Sequence, residues 1–87
     1  MEDTSNVLLL DIREKDELED GKTIEGSINM PMGKVFTEVA KNNLSKNKKI
    51  IVFCKSGFRA GIVVQILKEK GYDVEGLDGG LNDLYSK

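Results

Sequence analysis

The stretch Ile50-Ile51-Val52-Phe53-Cys54-Lys55-Ser56-Gly57-Phe58-Arg59-Ala60 restricts the possible folds more than any other part of the chain. Four consecutive apolar residues without polar alternation read as a strand buried on both faces, the pattern of a parallel sheet. A polar loop with one glycine follows, and from Ala60 the residues Ala60, Val63, Val64 and Leu67 recur at helical spacing. Ile62 and Ile66 add a second stripe, which predicts a well-buried helix. The single cysteine therefore lies at the carboxyl end of a strand, just before a helix begins. Open α/β sheets bind ligands at that place.

The flanking sequence repeats this alternation. Val7 to Ile12 is a second apolar run, with Asp11 and Arg13 at its end. Glu14 to Asp20 is highly charged, with Leu18 as its only apolar anchor, and predicts a short surface helix stopping at Gly21. Ser27 to Asn29 predicts a very short strand, closed by Pro31. Val35, Phe36, Val39, Ala40 and Leu44 predict a helix over Lys34 to about Asn42 with one apolar face. The polar segment Lys41 to Lys49 reads as a solvated connection. Val74 to Leu77 predicts a last strand after a helix-ending Gly71. Gly79-Gly80 predicts a turn, and Leu81, Leu84 and Tyr85 a closing helix. No hairpin signal joins adjacent strands, so the expected fold is α/β, a parallel sheet covered by helices with right-handed crossovers.

Composition narrows the function classes. Eighty-seven residues make one small domain. A net charge of −2 argues against broad nucleic-acid binding, which needs a positive field. One cysteine allows no internal disulfide, which suits a reducing compartment. The acidic start Met1-Glu2-Asp3-Thr4 lacks a signal peptide's basic region, and no apolar run reaches membrane-spanning length. A cytoplasmic domain with neither membrane nor nucleic-acid partner is the expectation. The absence of histidine removes Ser-His-Asp and Cys-His catalysis and zinc sites of the Cys/His type.

A lone cysteine after an apolar strand is often only a small buried hydrophobe. Three features favour reactivity at Cys54. It is the last apolar residue of its run. Lys55-Ser56-Gly57 can wrap backbone amides around an anion. Arg59 brings a positive charge to the helix start, where the dipole also favours an anion.

These residues resemble those of the single-domain rhodaneses. The resemblance rests on Leu9-Leu10-Asp11-Ile12-Arg13-Glu14, Gly26-Ser27-Ile28-Asn29-Met30-Pro31, Val52 to Ala60, and Leu77-Asp78-Gly79-Gly80-Leu81. It covers residues 7–85 of what is read as a single domain over residues 1–87. It implies a three-layer α/β/α fold with a small parallel sheet of four to five strands. It also implies a sulfurtransferase that moves a sulfane sulfur from thiosulfate or a persulfide to a thiol or cyanide, through a persulfide on Cys54. A sulfur-carrying protein is a further candidate partner, and no metal or organic cofactor is implied. By the same resemblance Lys55, Ser56, Gly57, Phe58, Arg59 and Ala60 form the substrate-binding loop. Asp11 and Arg13 match the family's Asp-x-Arg and are expected to support that loop, with a buried structural salt bridge as the alternative. Arg59 is expected to take an anionic donor.

The chain departs from the family's pattern in three places. It starts too late for the usual first strand and helix. Lys22-Thr23-Ile24-Glu25 occupies a segment where histidine is common, and Leu84 or Tyr85 a place where tryptophan is common. Two rival readings stand beside the sulfurtransferase. Cysteine phosphatases and arsenate reductase-like enzymes carry a loop one residue longer than the four residues between Cys54 and Arg59. A non-catalytic rhodanese-like binding module is the other.

Overall fold

The computed structural model describes residues 7–77 and 79–85, with the side chains of Asp20 and residues 83–85 excepted. The readings made at Met1 to Thr4, at Asp78, and at the side chains of Leu84 and Tyr85 lie outside the described residues. The elements are β1 (Val7–Asp11), a 3-10 helix (Lys15–Asp20), β2 (Ile28–Asn29), α1 (Met32–Ala40), β3 (Lys49–Phe53), α2 (Phe58–Glu69), β4 (Val74–Gly76) and α3 (Gly80–Tyr85). The four strands form one sheet in the order β2-β1-β3-β4, and every pairing is parallel. This is the α/β class and strand count that the alternating pattern predicts.

The two apolar runs form the centre of the sheet. Val7 pairs with Lys49 and Asp11 with Phe53, so the ends of β1 and β3 are level. The amide of Ile12 then donates to the carbonyl of Phe53 at 3.0 Å, which keeps the two chains together up to the cysteine. Leu10, Ile50, Val52, Val35, Val63 and Leu67 are fully buried in one core with Cys54 and Ile12.

The helices differ from expectation in ways the backbone explains. α1 begins at Met32, directly after Pro31, whose extended geometry (φ −52°, ψ 151°) makes it the cap. It ends at Ala40, before Asn42 turns into the left-handed region (φ 58°). α2 begins two residues before the first apolar stripe residue, because Phe58 and Arg59 open the helix without entering the core. Its burial is narrower than its two stripes suggest. Ala60, Val63 and Leu67 are buried, but Ile62 is exposed. Of the second stripe, Ile66 is half-buried and packs against the core, and only Ile62 stays outside it. Among the described residues no helix is long and apolar enough to cross a membrane.

Candidate active site

Cys54 follows the last residue of β3, at the carboxyl end of the sheet. Position alone would place it at an edge, yet it is 0 % exposed and packs with Leu10, Ile12 and Val52 in the core. The loop curls back over it. Gly57 adopts φ 95° and caps α2, and its amide donates to Cys54 Sγ at 3.1 Å. A side chain at Gly57 would be strained at that φ and would lie 3.1 Å from the amide nitrogen of Gly79. Glycine is therefore required at this turn.

The double glycine does more than turn the chain. The amides of Leu81 and Asn82 donate to the carbonyls of Cys54 (2.9 Å) and Lys55 (2.8 Å). The start of α3 is thereby bonded to the backbone of the cysteine loop. At Gly80 a Cβ would fall 2.3 Å from the Cys54 carbonyl oxygen and 2.9 Å from the Gly57 nitrogen. Such a close backbone approach leaves space only for hydrogen, and it is not visible in a Gly-Gly dipeptide read as a turn.

Arg59 lies in the first turn of α2. Its Nη1 and Nη2 donate to Glu17 Oε2 and Oε1, each at 2.7 Å. These bonds bring Glu17, one of several acids in the charged segment Glu14 to Asp20, into the site. Its Oε2 also accepts the amide of Glu14 at 2.7 Å, and this bond starts the 3-10 helix. The Arg59 hydrogen bonds are the main reason that the Glu17 carboxyl is held far below its ordinary range, at about 2. The same bonds hold Arg59 more firmly protonated, and the Cys54 side chain beside the guanidinium adds to that effect. The guanidinium thus lies between a carboxylate and the sulfur. The local signal for Glu17 was the Glu14-to-Glu17 spacing of a helix start, but nothing near it in the sequence pointed to a partner 42 residues away.

Asp11 and Arg13 meet each other, both 1 % exposed. The Asp11 carboxylate accepts the Arg13 amide and Nε (3.1 Å each to Oδ1), Arg13 Nη2 (3.1 Å) and Thr23 Oγ1 (3.3 Å). Arg13 also donates to the carbonyls of Glu17 and Lys22. This clamp ties the end of β1 to residues 17–23 and so sets the 3-10 helix that carries Glu17. Asn29, quoted in the sequence only as part of a motif, closes the same region. Its Nδ2 donates to the carbonyls of Asp11 and Arg13 at 2.9 Å each.

The remaining loop residues are distributed unevenly. Lys55 and Ser56 are exposed. Phe58 is 75 % exposed, an apolar ring in solvent beside the cysteine loop. Ala60 is buried under Gly76 and can offer a ligand only its main chain. A recess of about 370 Å³ lined by Val39, Asn42, Lys46, Lys70 and Tyr72 lies where α1 and α2 end, at the opposite end of the sheet from Cys54.

The family model described as Rhodanese-like domain matches residues 1–87. The chain is 34 % identical over 61 residues to the thiosulfate sulfurtransferase PspE of Escherichia coli K12, covering 70 % of this chain and 59 % of that one. It thus spans little more than half of that relative's length. It is 31 % identical over 80 residues to a sulfurtransferase of Allochromatium vinosum, covering 91 % of this chain and 72 % of the relative. Among solved structures, a rhodanese-related protein of Thermoplasma volcanium superimposes with a TM-score of 0.81 at 28 % identity, over 94 % of this chain and 79 % of its own. With the family model covering every residue and the same fold in a solved relative, this chain belongs to the rhodanese-like domain family.

Proposed function

We propose that the domain is a sulfurtransferase that carries a sulfane sulfur on Cys54. The single observation that supports this best is the amide of Gly57 bonded to Sγ at 3.1 Å. The loop closes on one sulfur atom, and its Gly57 amide offers a donor to negative charge on that sulfur. A tetrahedral phosphate would need room for three equatorial oxygens and a group to protonate the leaving oxygen. The names of the relatives point the same way.

In the first step the Cys54 thiolate attacks the outer sulfur of the donor. With thiosulfate, the new S–S bond forms as the old one breaks, and sulfite leaves with the electron pair. Cys54 then bears a persulfide anion. An acceptor thiolate or cyanide attacks the terminal sulfur, takes it as persulfide or thiocyanate, and returns the thiolate. Total charge is conserved in each step and no external oxidant is needed. No general base is required, which fits a chain without histidine. The Gly57 amide that bonds Sγ offsets part of the negative charge of the persulfide. Because Cys54 is fully buried at rest, the donor reaches it only as the loop or the Arg59 side chain gives way.

The test pairs two assays on wild type and Cys54→Ser. Thiosulfate is expected to add one sulfur atom to the wild-type protein by mass spectrometry, cyanide to remove it, and the serine variant to do neither. Cysteine-dependent hydrolysis of an aryl phosphate without a sulfur adduct would replace this reading with a phosphatase. Inactivity in both assays would favour a binding module.

A further inference from the structure

The guanidinium beside the sulfur is not free. Both outer nitrogens of Arg59 are occupied by Glu17 at 2.7 Å, and Glu17 is itself anchored by the Glu14 amide. We propose that Glu17 is a specificity-determining residue. By holding Arg59 it denies the loop's cation to small multiply charged donors, and it tunes the site towards sulfur donors of low charge. The proposal rests on the sulfurtransferase reading for its donors, but its electrostatic part does not.

Arg59 would otherwise be the natural fork for the oxygens of a thiosulfate-like donor. Such a donor must either displace Glu17, whose two bonds are short and parallel, or approach past a carboxylate. The segment that carries Glu17 adds to the barrier. Besides Glu17 it carries Asp16 and Glu19, against the one lysine Lys15. Glu17 is ionised near neutral pH, since the hydrogen bonds from Arg59 hold its carboxyl far below the ordinary range. Repulsion scales with the ligand's charge, so a dianion loses twice as much, on a logarithmic scale, as a monoanion of the same shape. Glu17 touches neither sulfur nor donor in this scheme and acts through Arg59.

The experiment compares wild type, Glu17→Gln and Glu17→Asp. Glutamine keeps the size and loses the charge, whereas aspartate is one methylene shorter but keeps the charge and the carboxylate fork that holds Arg59. Two donors with the same reactive sulfur are used, thiosulfate as the dianion and methanethiosulfonate as the monoanion. Glu17→Gln is expected to lower KM about tenfold for the first and about threefold for the second, with kcat little changed. Glu17→Asp is expected to keep the wild-type ratio of the two KM values. A second readout needs no sulfur transfer. Cys54 is the only cysteine, so its alkylation by iodoacetate, an anion, and by neutral iodoacetamide can be compared directly. The iodoacetate-to-iodoacetamide rate ratio is expected to rise about threefold in Glu17→Gln and to stay put in Glu17→Asp. Equal changes for charged and neutral reagents, or the same change in both variants, would show that Glu17 only braces the loop and would overturn the proposal. If the alkylation ratio shifts while wild type transfers sulfur from neither donor, the sulfurtransferase reading fails and the electrostatic role of Glu17 stands.

Discussion

Two acid–arginine pairs lie near the carboxyl end of this sheet, and they differ in almost everything except their chemistry. Asp11 and Arg13 are two residues apart and 1 % exposed, and Thr23 also donates to the Asp11 carboxylate. Glu17 and Arg59 are 42 residues apart and about one-third exposed. In the first pair, loss of one partner leaves a buried charge that water cannot reach. In the second, water or an incoming anion can take the place of either partner. Burial, more than bond length, separates a clamp that fixes the chain from a contact that a ligand can exchange. The two are connected in series, since Arg13 bonds the carbonyl of Glu17 and thereby positions the residue that holds Arg59.

The largest expected effect tests the clamp. Asp11→Ala should destabilise the fold by about 3–5 kcal/mol, the cost of leaving a buried partner uncompensated. Equilibrium denaturation in urea would measure it. The double change Asp11→Leu with Arg13→Met should recover much of the loss, because two apolar groups need no charge partner. If Asp11→Ala costs no more than Glu17→Gln, burial does not distinguish the pairs.

The next prediction asks what holds the cysteine loop. If backbone packing holds it more than the Arg59 pair does, Gly80→Ala should be harmful although it alters no charge. Its methyl group would meet the Cys54 carbonyl at 2.3 Å in a left-handed backbone (φ 59°). A loss of about 2–3 kcal/mol is expected from the strain, together with faster alkylation of Cys54 as the loop is released. Wild-type stability and reactivity in this variant would mean that the loop does not depend on α3.

The smallest effect concerns acid. A carboxyl whose folded pKa is depressed stabilises the fold above its ordinary pKa, and that contribution is lost as pH falls through the folded value. For Glu17 these limits are 4.5 and about 2. The stability advantage of wild type over Glu17→Gln should be about 1 kcal/mol or less, as for other solvent-accessible pairs. It should be constant from neutral pH to about 4.5 and vanish towards pH 2. An advantage that disappears already between pH 7 and 5 would show that the pair is weaker in solution than its geometry.

Much of the fold was legible along the chain. The apolar runs at Val7 to Ile12 and Ile50 to Phe53 became the two central strands. Each lacks polar alternation because each is covered on both sides. The stripe Ala60, Val63 and Leu67 faces the core as its spacing requires. Where the reading erred, a neighbour distant in sequence decided the outcome. Ile62 continues an apolar pattern but lies off the core-facing stripe and stays 40 % exposed. Gly80 reads as a turn residue, and only the docking of α3 on the Cys54 carbonyl shows why a side chain is excluded.

The sequence by itself determined the parallel α/β architecture and the place of the only cysteine at the end of a strand and the start of a helix. Strand and helix periodicity is set by neighbours within a few residues, so a local pattern is enough to reveal it. The tertiary structure alone decided that Cys54 would be sealed from solvent and that Arg59 would bind Glu17 in place of a free anion. A charged side chain's partner depends on which surfaces meet when the chain closes. Several acids of the Glu14 to Asp20 segment were equal candidates until the Asp11–Arg13 clamp fixed the 3-10 helix and presented one of them.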